Sequence, residues 1–325
     1  MDTRPTRLPG SDLVGRRISV RHLDPTGSAT DVVGRVLSVD NGLRMERRDG
    51  SLATVDPATI VVWRLVPDRP VRSRRPTAAP VDQLARIMAR GWPAIEVLPV
   101  AGWDLRASGG FTKRANSAAA LAEPEGSVEA ALDAVAGFYE QRELRPLVQV
   151  ESDTALERRI VEAGWRVVDG GDALVLVAQL DRRWPADPEV ELASHADDAW
   201  IADYRSTPDP EVARRVLEAP STVAFSRLGP AVARTVVTGE WAGLSALAVP
   251  EAQRRTGLGR RLVAAGLGWA VEQGADKAYL QVEADNEPAL ALYRQFGFVE
   301  HHGYRYLAPS DLTRPAEAGA GAGRS

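Results

Sequence analysis

Two stretches 132 residues apart carry the same pattern: EQRELRPLVQVESD from Glu140 and EQGADKAYLQVEAD from Glu272 share Glu-Gln, Gln-Val-Glu and Asp in register. Each runs on into a helix-like segment that ends at Gly-aromatic, Gly164-Trp165 and Gly297-Phe298, where the offset is 133. Upstream, Ala85-Arg86 matches Ala213-Arg214, Arg106 matches Arg234, and Ser117-Ala118 matches Ser245-Ala246, all at 128. A nearly constant offset is what a duplicated unit of about 100 residues leaves behind, and it asks both copies to fold alike. Between the strand ending near Leu121 or Val249 and the helix holding Glu140 or Glu272, the offset grows from 128 to 132, so the first copy is shorter there. In that interval the second copy reads RRTGLG and the first reads AEPEGS.

A chain of 325 residues has room for two or three cores. Residues 12–66 alternate in short runs (RRISVRHL, DVVGRVLSVD, GLRMERRDG, SLATVD, TIVVWRLV) broken by Pro-Thr-Gly, Asp-Asn-Gly and Asp-Gly. That pattern predicts a small antiparallel barrel of SH3-like type over 1–66. PDRPVRSRRPTAAP, 67–80, reads as a stiff linker. The first copy then spans 81–180, the second 181–308, and the low-complexity end 309–325 is expected to be disordered.

Charge is uneven: residues 1–80 hold 14 Arg against 9 Asp and Glu, or +5, within a chain of net −4. A basic front unit is compatible with nucleic acid or an acidic protein partner, but few aromatics accompany it and arginine runs through the whole chain, so nucleic-acid binding is not expected. No apolar run reaches the ~20 residues of a membrane span, and MDTRPTRLPG lacks a signal core, so a cytoplasmic location is expected. With no cysteine, disulfides, thiolate metal sites and cysteine nucleophiles are excluded; four histidines without HExxH spacing give a metal little support. The pair His301-His302 points to opposite faces if extended.

The interval that differs between the copies holds the chemistry. WAGLSALAV, 241–249, reads as a buried strand stopped by Pro250. A helix follows from Gly257, with Leu258, Leu262, Ala265 and Trp269 on one face, and stops at Gly274. Such a junction presents unpaired amides and the positive end of the helix dipole, Gly257 and Gly259 let a ligand approach, and Arg254, Arg255 and Arg260 add charge. A pyrophosphate suits it. A P-loop would need Gly-Lys-Ser/Thr where Gly259-Arg260-Arg261 stands, and a dinucleotide fingerprint would need a third small residue at Leu262.

VPEAQRRTGLGRRL, with Arg254, Gly257 and Gly259 in an Arg/Gln-x-x-Gly-x-Gly/Ala pattern, resembles the acetyl-CoA loop of the GNAT acetyltransferases. LQVEADNEPALALYRQFGFVEHHGYRYL resembles that family's next strand, its Asn-x-x-Ala-x-x-Leu-Tyr helix and its Gly-Phe turn into the last strands. The resemblance covers 190–308. Residues 81–180 join by analogy with the second copy, and the layout resembles an actinobacterial tandem type with an SH3-like front domain.

The resemblance implies a mixed α+β fold, acetyl-CoA as cosubstrate and direct attack of a primary amine on the thioester. By the same resemblance the strand-end amides of Leu247, Ala248 and Val249 hold pantetheine and polarise the carbonyl, and the loop Arg254, Arg255, Thr256, Gly257, Leu258, Gly259 and Arg260 holds the phosphates. Tyr293 is the proton donor to the leaving thiolate, or else a core aromatic, since it also falls in the Ala289, Leu292, Phe296 pattern; its counterpart is Ile160. Asn286 either caps the helix, contacts the pantetheine arm, or does both. Where some members have a glutamate this chain has Gln281; Glu283, Glu240 or a water relay is then the base.

In the first copy AEPEGS puts carboxylates where phosphates need donors, so no second CoA site is expected. GGFTKRANSAAAL offers Thr112, Arg114 and Asn116 to the acceptor cleft, unless that copy only packs against the other. The acceptor is a small-molecule or peptide amine. The competing reading is an acetyl-CoA-binding regulatory protein whose front barrel recruits a protein partner.

Overall fold

The computed structural model describes residues 10–312 except 25–26, 41, 48–49, 67–74, 181–183 and 206. Five strands form the front unit: β1 (Arg17–Leu23), β2 (Ala29–Ser38), β3 (Leu43–Arg47), β4 (Leu52–Val55) and β5 (Ile60–Leu65), antiparallel in the order β4-β3-β2-β1-β5. Alternation turns Ile18, Val20, Val32, Val36, Leu43, Met45 and Val55 into one small core. This unit touches the rest of the chain where the Gly239 amide donates to Glu46 Oε1 at 3.1 Å, a contact whose burial raises the Glu46 carboxyl above its usual range.

Residues 67–74 of the expected linker lie outside the described residues, but its end does not hang free. Pro76 is buried in a short turn, Pro76–Ala78, and the Ala79 carbonyl lies 2.9 Å from His301 Nε2. Of the end expected to be disordered from residue 309, the first residues are held: Arg145 Nη2 donates to Leu312 O at 3.0 Å; residues 313–325 lie outside the described residues.

The remainder runs α1 (Val81–Gly91), β6 (Glu96–Val100), β7 (Trp103–Ala107), β8 (Ala118–Ala120), α2 (Val128–Glu140), β9 (Val148–Glu151), α3 (Ala155–Glu162), β10 (Trp165–Gln179), β11 (Glu191–Ala193) and α4 (Asp198–Tyr204). Then α5 (Pro210–Glu218), β12 (Val223–Leu228), β13 (Ala231–Thr238), β14 (Trp241–Ala248), α6 (Leu258–Glu272), β15 (Lys277–Glu283), α7 (Glu287–Arg294) and β16 (Val299–Pro309) repeat the order of α1 through β10. Ten of these strands and β11 form one sheet, β11-β12-β13-β14-β15-β10-β16-β9-β8-β7-β6. Residues 81–180 and 181–308 therefore share a sheet, and each gives its last strand to the other: β10 pairs with β15, and β16 with β9.

Local detail departs from simple periodicity at three places. On α6 the fully buried face is Leu262, Val263, Gly266, Leu267 and Ala270, while Leu258, Ala265 and Trp269 are half-buried. The core lies beneath a face rotated from the predicted one. At His301 the β10–β16 register slips, since Val175 faces His302 and Leu176 faces Glu300. This irregularity brings both rings to one side, Nδ1 to Nδ1 at 2.7 Å, and burial with the neighbouring ring lowers His302 to about 4. Finally, β14 is buried only over Trp241–Leu244. Its parallel pairing with β15 stops at Leu244 and Leu280, and Ala246 takes a left-handed φ of 52°.

Candidate active site

Where β14 parts from β15 a cleft of about 380 Å³ opens. Ser245, Ala246 and Leu247 line it from β14, Gln281, Val282 and Glu283 from β15, and Asn286, Ala289 and Tyr293 from the α7 region. Ala246 is held out of regular pairing while β13 keeps its own contact, Arg234 opposite Ser245 and Val232 opposite Ala248. The strand thus stays anchored on one side and free of a β partner on the other, the arrangement that leaves backbone amides for a ligand. Of the three strand-end residues expected there, Leu247 lines the cleft; Ala248 and Val249 carry the chain on to the loop.

Beside this strand end α6 begins. Gly257 sits at its N-cap with φ 93° and no side chain to cap it, and no acidic residue lies in the first turn. The Arg261 amide, donating to Gly257 O at 3.1 Å, is the first held by the helix, so the amides of Leu258, Gly259 and Arg260 point outward unpaired by it. A Cβ at Gly257 would meet nothing within 4 Å, which shows open space before the helix. Arg254, Arg255, Thr256 and Arg260 are exposed around it. Arg261 is different: its guanidinium grips Asp187 through both oxygens at 2.6 and 2.7 Å, so it is committed to holding the 187–189 segment on the helix.

Tyr293 is buried as a ring, edge-on to Phe298 at 5.9 Å, yet it lines the cleft and its hydroxyl makes no hydrogen bond to another described residue. Burial pushes the phenol up to about 12, so it keeps its proton at neutral pH. The same helix starts at Asn286, whose Oδ1 accepts from Ala289 N at 3.2 Å; the side chain caps α7 while lining the cleft.

Glu283 reaches the cleft, whereas Glu240 does not. Glu240 sits at the far end of β14, about 3.3 Å per residue away, in a buried ion pair with Lys277 at 2.5 Å. As a strand start it faces the turn towards β13, and the expectation of a base there is corrected. Asn116 is also misplaced by the sequence reading. Its Oδ1 accepts from Ser108 N and Gly110 N at 2.7 and 3.0 Å, and its Nδ2 donates to Phe111 O and Thr112 O at 2.8 and 2.9 Å, so it staples a loop and has nothing left for an acceptor. Asn116 stands just after a 3-10 turn, Lys113–Ala115. Arg114 does line the cleft, 4.9 Å from the centre of the Trp92 ring.

The cleft also holds residues that the sequence reading passed over: Trp92, Lys113, Tyr204, Arg205, Tyr304 and Tyr306. Only Lys113, within TKRAN, stood next to a residue already singled out; the others come from the end of α1, the end of α4 (Tyr204, Arg205) and one face of β16 (Tyr304, Tyr306). Gln281, lacking a carboxylate, accepts from the Tyr304 hydroxyl at 2.8 Å and fixes that ring.

An α/β sheet with a splayed central strand beside an uncapped Gly-Arg helix start defines a GCN5-related N-acetyltransferase. A solved GCN5-related N-acetyltransferase from Kribbella flavida shares the fold over 70% of this chain and 95% of its own, with a TM-score of 0.52 at 18% identity. The chain belongs to the family described as "Probable histone acetyltransferase Rv0428c C-terminal", matched over residues 78–307. It is 33% identical to the Mycobacterium tuberculosis protein "Probable histone acetyltransferase Rv0428c" over 314 residues, 90% of this chain and 95% of that one. To the Bacillus subtilis "Uncharacterized N-acetyltransferase YobR" it is 26% identical over 251 residues, 69% and 98% of the two chains. Residues 13–64 match the family's N-terminal Sm-like domain, so the expected small β unit is present and Sm-like replaces SH3-like as its description. The chain is thus an N-acetyltransferase, and no helix among the described residues is long and apolar enough to cross a membrane.

Proposed function

We propose that residues 81–308 are two GNAT units in tandem, the first without a cofactor loop, and that the second binds acetyl-CoA and delivers its acetyl group to a primary amine. The phosphates rest on the amides of Leu258–Arg260 and on Arg254, Arg255 and Arg260, with Thr256 closing the turn. The pantetheine runs past Leu247 and Asn286 into the gap beyond Leu244. The thioester carbonyl lies against the amides at the splayed end of β14, which favour charge developing on its oxygen.

The amine nitrogen attacks the carbonyl carbon; the C–N bond forms, the C–S bond breaks, and the departing sulfur takes the Tyr293 proton. The nitrogen's surplus proton leaves to Glu283 or to water, and the phenol is reprotonated from solvent, so the products are an amide and CoA thiol. Holding both reactants in one cleft supplies much of the acceleration. The observation carrying this reading is the unclaimed Tyr293 hydroxyl in the cleft where β14 leaves β15.

Thiol release from acetyl-CoA across a panel of small amines and peptides tests it. At least one amine should release CoA in the wild type and about 10²-fold more slowly in Tyr293→Phe. Acetyl-CoA binding without thiol release from any amine would replace the enzyme by an acetyl-CoA-binding regulatory protein.

A further inference from the structure

Four charged residues line the cleft, and three are cations: Lys113, Arg114 and Arg205 against Glu283. The cations stand away from the cofactor loop, on the 109–116 loop of the first half and at the end of α4.

Arg114 is the unusual member. Three arginines lie on or near the sheet interior, and two are fully engaged. Arg106 donates to Ser117 O, Ser117 Oγ and Gln149 Oε1 at 2.9, 2.8 and 2.6 Å; Arg234 donates to Leu217 O, Gly91 O and Ser245 Oγ at 2.8, 3.0 and 3.2 Å. Arg114 has a buried Nε with no hydrogen-bond partner and no ion pair among the described residues. Around it stand Trp92 and the tyrosines 204, 304 and 306. A half-buried guanidinium whose inner Nε has no acceptor leaves its fork of donors open to the cleft, and a planar anion would satisfy it through two parallel bonds.

The loop that presents Arg114 is itself held against backbone preference. Thr112, a residue with a Cβ, takes a left-handed φ of 63°, and Asn116 holds its carbonyl together with Ser108, Gly110 and Phe111 through the four hydrogen bonds given above. Beside Arg114, Lys113 donates to Gly170 O and lies 5.7 Å from the Tyr306 ring, and Arg205 is exposed over Tyr204. Neither has a carboxylate partner within ion-pair distance among the described residues.

We infer that the acceptor is an amine carrying its own anionic group, a carboxylate or phosphate, which the Arg114 guanidinium holds while the amine faces the thioester. The inference rests on the acetyl-transfer reading and names its substrate class. A lysine-rich peptide, by contrast, would meet three like charges.

Binding is tested apart from turnover. Unreactive product analogues in matched pairs, N-acetyltyrosine against N-acetyltyramine and N-acetylphosphoethanolamine against N-acetylethanolamine, are titrated calorimetrically into protein saturated with CoA. The anionic member of at least one pair should bind at least about tenfold more tightly. Which pair shows it separates carboxylate from phosphate. The preference should vanish in Arg114→Gln and survive in Arg114→Lys, with CoA affinity unchanged. Should Arg114→Gln fail to fold, the exposed Arg205→Ala must still weaken the preference two- to threefold. Equal affinities, a preference that survives Arg114→Gln, no binding by either pair, or tightest binding by a lysine-rich peptide would overturn the inference. Arg114-dependent anion binding without thiol release from tyrosine, phosphoethanolamine or any other amine of the panel would instead overturn the acetyl-transfer reading alone.

Discussion

Residues 121–127 and 249–257 both lead from a short parallel-paired strand to the helix that crosses back over the sheet, and they finish those helices differently. In the first, Ser127 Oγ accepts from the Ala130 amide at 3.1 Å and Glu129 stands in the first turn, so the positive end of α2 is satisfied from within the chain. In the second, Gly257 leaves the end of α6 without a side-chain cap or an acid. On the proposed acetyl-CoA reading, the same architecture serves as a closed structural joint in one half and as an anion site in the other, according to whether its own side chains already occupy the helix start. The tyrosine contrast runs the same way: Tyr293 on α7 corresponds to Ile160 on α3, which is fully buried and carries no proton.

The comparison breaks most visibly at that pair. Tyr293→Phe should lower kcat by about 10²-fold while leaving acetyl-CoA affinity intact, whereas Ile160→Val should cost about 1 kcal/mol of stability and no activity. Chemical denaturation and steady-state kinetics on both variants check this. Because the folded phenol titrates near 12, above the ~10 of a free tyrosine, it stays protonated as pH rises through the usual assay range. The kcat profile should show no alkaline loss from this group up to about pH 10; a fall near pH 8 would assign the acid role elsewhere.

The two glycines come next. Gly257 and Gly126 have similar left-handed φ, 93° and 99°, and open space around them. Valine at either strains the backbone by about 1–2 kcal/mol. At 257 it should also raise the acetyl-CoA KM about tenfold, and at 126 it should lower thermal stability only. Smaller still, Arg255→Ala and Arg260→Ala should each weaken acetyl-CoA binding a few-fold, with the loss shrinking at high salt. Last, Ser127→Ala should cost about 1 kcal/mol of stability in a melt and leave the kinetics unchanged.

The recurring element order and the strand-to-helix junction were legible because each is written in contiguous residues whose spacing has one structural meaning. The exchange of β10 and β16 was not, since both strands are apolar enough to lie beside either neighbour and only the assembled sheet decides between them. Periodicity also misled where the backbone is irregular. Asn116, offered to the acceptor cleft, lies just after a 3-10 turn that it holds together, and the pair His301-His302, opposite-facing if extended, lies at a register slip. Glu240 shows a different limit: its place at the start of β14 was readable, but not that the cleft opens at the other end of the strand. The aromatic floor of Trp92, Tyr204 and the Tyr304–Tyr306 pair of β16 comes from three separate places in the chain, so no single stretch of sequence announces it.

The central claim is that one of two duplicated junctions binds the cofactor. Calorimetric titration of acetyl-CoA into the full chain tests it directly, with Gly257→Val and Gly126→Val titrated alongside. The account predicts one site per chain, weakened about tenfold by the change at Gly257 and unaffected by the change at Gly126. Two sites per chain, or a single site that responds to Gly126 and ignores Gly257, would contradict it.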